Sequence, residues 1–246
     1  MPLVTGNGLN NTITPSSASA GVTGWYGGLW GDDTIDGGAG ADDMNGGDGN
    51  DTYHVDNVGD IVREDWDDVS GGTADTVLAT VTYSIGPGTF RNQGHGIENL
   101  TLMGSANINA TGNSKNNILN GNSGNNVLNG GAGNDKLFGG AGNDSINGGD
   151  GVDTLIGGDG NDTLTGGAGA DKFRFNSLSE KVDTIQDFFR TQGDKIDVSA
   201  SGFGATSLSQ ISYNAWTGSL SFLGTEFAIL ANLPAGFAVS LDVVLI

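Results

Sequence analysis

The chain has no cysteine, four prolines, two histidines and nine basic residues in 246. Without cysteine there are no disulfides and no thiol chemistry, and zinc or copper would lack their preferred ligands. Nine basic residues against 29 acidic ones leave a formal charge of −20, which excludes a nucleic-acid partner. No apolar run approaches the ~20 residues of a transmembrane segment. "MPLVTGNGLNNTITPSSASAG" lacks the basic and apolar regions of a signal peptide, so export is expected to rely on another signal. Helix is not expected to dominate, because each of the 45 glycines costs roughly 1 kcal/mol in a helix interior.

What remains is aspartate and glycine. Only Glu64, Glu98, Glu180 and Glu226 are glutamate, so nearly all the acids are aspartate. Short aspartates among glycines suit tight turns and hard-cation ligation. They also follow a ruler. The pattern G-G-x-G-x-D-x-U-x, with U large and apolar, is clean at 130–138, 139–147, 148–156, 157–165 and 166–174. Its aspartates are Asp135, Asp144, Asp153, Asp162 and Asp171, followed by Leu137, Ile146, Leu155, Leu164 and Phe173. An earlier cluster at 28–36, 37–45 and 46–54 places Asp33, Asp42 and Asp51 at the acid position. "VDNVGDIVR" keeps Asp60 in register, while Asn117 and Asn126 replace the acid in two further copies.

The register predicts a fold. U and its neighbours make a three-residue strand, and the glycine-rich six make a turn whose successive positions need φ > 0. Two strands and two turns, eighteen residues, return the chain to its starting face one layer up, with strands ~4.8 Å apart and the U residues in a narrow core. Asp135 then faces Asp153, Asp144 faces Asp162, and Asp153 faces Asp171. Stacked like charges repel unless a cation lies between them. Calcium suits the place, since it accepts six to eight oxygens from carboxylates and carbonyls.

At these residues the chain resembles the repeats-in-toxin family, whose nonapeptide builds a calcium-binding β-helix. The resemblance implies an all-β fold, a parallel β-roll of the right-handed β-helix type with a C-terminal β-rich cap, holding about three to six Ca2+ ions. It also implies ligands. Each ion lies between turns eighteen residues apart, taking carbonyls of the second and fourth residues and the carboxylate of the earlier turn. The later turn adds carbonyls of its first and third residues and its carboxylate. One ion would take Gly131, Gly133, Asp135, Gly148, Asp150 and Asp153. A second would take Gly140, Gly142, Asp144, Gly157, Asp159 and Asp162, and a third Gly149, Gly151, Asp153, Gly166, Ala168 and Asp171. In the first cluster the set is Leu29, Gly31, Asp33, Gly46, Asp48 and Asp51. Gly38, Gly40, Asp42 and Asp60 form a weaker set, because 55–59 departs from the motif. Asp144 with the Gly139 and Ala141 carbonyls faces Asn126, one charge fewer. Asn117 opposite Asp135 also has Lys115 in place of the fourth-position glycine, and no ion is expected there.

The expected organisation is an N-terminal cap at 1–27, a first repeat block at 28–63, metal-poor irregular coils at 64–111, a second block at 112–174 and a C-terminal cap at 175–246. "DTIQDF" and "GDKIDVS" are similar to the segment after the repeats in serralysin-type secreted proteases and alginate epimerase modules. The ending "LDVVLI" is similar to the uncleaved terminal signal of type I secretion substrates; a buried terminal strand is the alternative. The implied partners are calcium, the type I secretion machinery, and a cell-surface glycan or matrix, and the implied location is extracellular.

No H-E-x-x-H, Gly-x-Ser-x-Gly or phosphate loop occurs, and no catalytic site is expected. The trio Arg91, His95 and Glu98 is the one candidate for acid–base work on a saccharide, against a plain hydrogen-bonded loop; His54 sits at an outward strand end. Trp25, Tyr26 and Trp30 suit either a plug for the roll or a sugar-stacking patch. Three readings follow: a secreted calcium-binding roll with a structural, surface or binding task, a small saccharide-modifying enzyme built around 55–112, or a secretion module for a separate effector.

Overall fold

The computed structural model describes residues 3–5, 12–13, 25–27, 31–64, 74–86 and 96–246. Leu29, Trp30, Arg91, His95 and most of the expected N-terminal cap lie outside these residues, as do the side chains of Trp25 and Tyr26. The chain forms two compact units, Met1–Gly104 with Ile108–Ile118, and Ser105–Asn107 with Leu119–Ile246.

The first unit is built from short parallel strands. Thr34–Asp36 pairs with Thr52–Val55, which pairs with Thr76–Ala79, which pairs with Asn99–Leu102. In this column Ile35, Tyr53, Val77 and Leu100 stand in register, each fully buried. Asp43–Asn45 lies between Trp25–Gly27 and Ile61–Arg63 in another sheet and stacks Met44 on Val62. The described part of 55–112 thus adds further parallel strands to this unit. Burying each such side chain stabilises the roll by roughly 1.5–3 kcal/mol.

The second unit repeats the design with longer strands. Val127–Ala132, Ser145–Asp150 and Thr163–Ala168 pair in parallel, as do Lys136–Ala141, Thr154–Asp159 and Lys172–Phe175. Most of these strands have six residues rather than three. The ladder runs on into the turns because turns of equal length stack in register: Gly131 pairs with Gly149, and Gly149 with Gly167. Leu137, Leu155, Phe173 and Ile196 form one buried column, and Leu128, Ile146, Leu164 and Ile185 the other.

The tail closes this unit. Asp183–Ile185 and Lys195–Val198 add parallel strands to the two faces. An antiparallel meander, Ile211–Asn214, Ser219–Phe222 and Thr225–Leu230, attaches through its last strand to Asp183–Ile185. Phe227 packs edge-on against Phe175 and Phe203 at 5.2 Å each, so aromatic rings fill the end of the narrow core. The terminal segment Val243–Leu245 pairs in parallel with Lys195–Val198. No described helix is long and apolar enough to cross a membrane.

Candidate metal centres

Each motif aspartate points inward beside its U residue and is almost fully buried. Such a carboxylate needs donors. It finds one in the turn eighteen residues earlier: the N–H of Asp135 donates to Asp153 Oδ1 (2.8 Å), that of Asp144 to Asp162 Oδ1 (2.7 Å), and that of Asp153 to Asp171 Oδ1 (3.0 Å). In the first unit the N–H of Asp33 donates to Asp51 Oδ1 (2.6 Å) and that of Asp42 to Asp60 Oδ1 (3.0 Å). Stacking at eighteen residues is thus written into hydrogen bonds.

The second oxygen is different. Oδ2 of Asp51, Asp75, Asp144, Asp153, Asp162 and Asp171 is buried without a hydrogen-bond partner. A buried anionic oxygen lacking a donor is strongly disfavoured unless a cation faces it. Burial accordingly pushes Asp144 and Asp171 up to about 6 and Asp51 up to about 7, against the opposing hydrogen bond from the preceding turn.

The glycines make room for these oxygens. A side chain on Gly148 would overlap Asp153 Oδ2 and come within 2.6 Å of the Gly166 carbonyl oxygen. One on Gly139 would overlap both Asp144 Oδ2 and the Gly157 carbonyl, and Gly130 stands likewise between Asp135 Oδ2 and the Gly148 carbonyl. The first glycine of the motif is therefore needed for space, and the second and fourth, such as Gly149 (φ 111°) and Gly151 (φ 144°), for positive φ and for space together, since side chains there would overlap the carbonyl oxygens of Gly131 and Gly133 respectively. The expectation that successive turn positions need φ > 0 is corrected at that first position, where the glycine's φ is not positive.

In all three sets in the second unit, the earlier carboxylate's Oδ2 thus converges with the later turn's first carbonyl: Asp135 with Gly148, Asp144 with Gly157, and Asp153 with Gly166. Hard oxygen donors of both kinds, with negative charge in excess, fit calcium. The carbonyls of Asp150, Asp159 and Ala168 also accept inter-turn bonds from the N–H groups of Gly133, Gly142 and Gly151 (2.7–2.8 Å), which uses one of their two lone pairs. In the first block, Gly46 abuts Asp51 Oδ2, and Gly31 takes φ 96°; Leu29 lies outside the described residues.

The weaker sets differ in a visible way. Asp60 Oδ2 accepts from the N–H groups of Asp56 (3.2 Å) and Asn57 (3.1 Å), so its own turn consumes it. Asn126 Oδ1 accepts from Asn122 N–H (2.9 Å) while its amide donates to Asn122 Oδ1 (3.1 Å). Asn117 likewise accepts from Asn113 N–H and donates to the Glu98 carbonyl. Amides satisfy themselves where carboxylates do not. Lys115 Nζ lies 3.3 Å from Glu98 Oε1, so a lysine supplies the positive charge at this layer.

The ladder also extends past the motif. Asp75 Oδ1 accepts from Asp51 N–H (2.7 Å), Glu98 from Asp75 N–H (3.0 Å), Asp183 from Asp162 N–H (3.0 Å) and Asp194 from Asp171 N–H (3.0 Å). Their only sequence signal is an acid two residues before a buried aliphatic, in D-T-V, E-N-L, D-T-I and D-K-I. Asp187 adds a cap, accepting from Gly166 (2.8 Å) and Gly167 N–H (2.9 Å). A second, exposed ladder uses the fifth motif position: Asn134 Oδ1 accepts from Val152 N–H, and Asn143 Oδ1 from Asn161 N–H.

Glu98 serves this ladder, and its candidate partners Arg91 and His95 lie outside the described residues. The family described as RTX calcium-binding nonapeptide repeat, in four copies, matches residues 28–61, 111–146 and 147–177. Those segments carry RTX calcium-binding nonapeptide repeats. No curated protein sequence matches it. The RTX segments cover both blocks in which the aspartate ladder and the glycine cradles coincide.

Proposed function

We propose that this chain is a secreted module that folds on extracellular calcium after type I export and then serves a structural, surface or binding role. The row of buried aspartate Oδ2 atoms without donors carries this reading. A chain of net charge −20 with so few large apolar residues repels itself when metal-free and stays open, the form a narrow secretion channel can thread. Calcium supplies the positive charge that lets stacked carboxylates ionise inside the fold. Asp135, Asp144, Asp153, Asp162 and Asp171 would hold it with the carbonyls named above, and the hydrogen bonds of the ladder orient them. Each site contributes RT ln(1 + [Ca]/Kd), about 2.7 kcal/mol at 100-fold saturation, so a few sites match the stability of a typical domain.

The test is a calcium titration of chelator-stripped protein followed by far-UV circular dichroism, with magnesium as control. A cooperative gain of strand signal between roughly 0.1 and 1 mM calcium is expected, the range of extracellular modules. A full strand spectrum in excess chelator would refute calcium-driven folding. For export, removal of residues 242–246 should abolish secretion through a type I transporter while leaving calcium binding at the repeats intact.

A further inference from the structure

Between Val62 and Val77 the chain leaves the nine-residue pattern, and three buried acids meet there. Asp51, Glu64 and Asp75 are 0–1 % exposed, and each places a carboxylate oxygen within 4.8 Å of the others. Glu64 follows Arg63, the strand partner of Asn45, so it stands where the first motif glycine, Gly46, stands one layer before. A carboxylate thus occupies a position that offers only a carbonyl in the repeats.

Hydrogen bonds fix the group but leave it electrically unbalanced. Tyr53 Oη donates to Glu64 Oε1, Gly47 N–H to Glu64 Oε2 (2.8 Å), and Asp51 N–H to Asp75 Oδ1 (2.7 Å). Asp51 Oδ2 and Asp75 Oδ2 remain buried with no donor. No described lysine or arginine forms an ion pair with any of the three, whereas Glu98, the next acid along the ladder, is met by Lys115. A cluster of up to three negative charges out of water needs a cation. The donors are all hard oxygens, with neither histidine nor cysteine among them, which selects calcium over zinc or copper.

We propose that Asp51, Glu64 and Asp75 bind one calcium ion at a site outside the nonapeptide motif. It has three carboxylates where a repeat site shares two, and affinity rises with ligand charge, so it is the tightest site of the first unit. The segment 64–111, read from sequence as metal-poor, thereby supplies two of the three ligands.

The test uses the full-length chain, stripped of metal and titrated calorimetrically with calcium. Glu64→Gln keeps the side-chain shape and one of its two acceptor oxygens while removing the charge; it should bind one ion fewer, or bind the tightest ion of the first unit at least ~10-fold more weakly. Asp144→Asn, in the second unit, should lose a different ion and keep that tightest one. Unchanged stoichiometry and affinities in Glu64→Gln overturn the proposal. Should Glu64→Gln fail to fold, the wild-type chain crystallised in calcium decides. Anomalous density among the three carboxylates supports the site, and its absence while the turns at 130–171 show peaks overturns it. Absence at those turns too would refute the calcium reading as a whole.

Discussion

Replacing Asp144 by asparagine should stabilise the metal-free chain and lose that advantage in saturating calcium. In the folded chain Asp144 Oδ1 accepts from Asn126 N–H at 2.7 Å, and Oδ2 is buried without a donor. Burial raises its pKa from 3.8 to about 6, which penalises the ionised, metal-free fold by about 3 kcal/mol at neutral pH. Asparagine keeps the Oδ1 acceptor and removes the charge. Its amide faces the Gly157 carbonyl that lies beside Oδ2, much as the amide of Asn126 finds Asn122 within its own turn. In chelator the variant should therefore be more stable, by up to about 3 kcal/mol. In saturating calcium it forfeits one site, about 2.7 kcal/mol at 100-fold saturation. The assay is urea unfolding of both proteins in chelator plus a stabilising osmolyte, and again in excess calcium. The calcium-dependent part of stability should shrink by roughly 3 kcal/mol. An Asp144→Asn chain that is less stable than wild type in chelator would refute the reasoning, because the carboxylate would then have a protein partner.

Other expectations follow from the same geometry. Asp51, Asp75, Asp144 and Asp171 have folded values of about 6–8, above the unfolded ~3.9. The metal-free fold therefore holds extra protons, is most stable below about pH 4, and loses that stability as pH rises through 6 to 8. In chelator, strand signal should be greater at about pH 5 than at about pH 8; the reverse slope contradicts the ladder's role. Gly148→Ala drives a methyl group into Asp153 Oδ2 and towards the Gly166 carbonyl, so calorimetry should count at least one ion fewer and the folding midpoint in calcium should rise several-fold. Asp242 is buried against Arg190 Nε (2.9 Å) and Lys195 Nζ (3.7 Å) at the terminal strand, and Asp242→Ala should cost about 3 kcal/mol in calcium by urea unfolding. A loss under ~0.5 kcal/mol would mean the pair is solvated.

The clean repeats were legible because period nine, doubled, is the geometry of one layer. Asp135 over Asp153 and Leu137 over Leu155 needed no more than counting. Asp75, Asp183 and Asp194 escaped because their spacings along the ladder are 24, 21 and 23 residues. Insertions of that kind leave the strand and its acid in place while erasing the period. Glu64 was illegible for another reason: its role depends on the side chains of Tyr53, Asp51 and Asp75 meeting across layers.

The sequence by itself determined the strand register, the buried columns and the choice of a hard cation, since a periodic chain repeats one local solution and composition excludes the softer ligands. Only the tertiary structure decided which oxygens are left without donors. It separated Asp153, whose Oδ2 is open, from Asp60, whose Oδ2 is taken by its own turn, and from Asn126, whose amide is satisfied. Hydrogen-bond satisfaction is a property of three-dimensional neighbours, and two aspartates at the same place in a motif can differ in it completely.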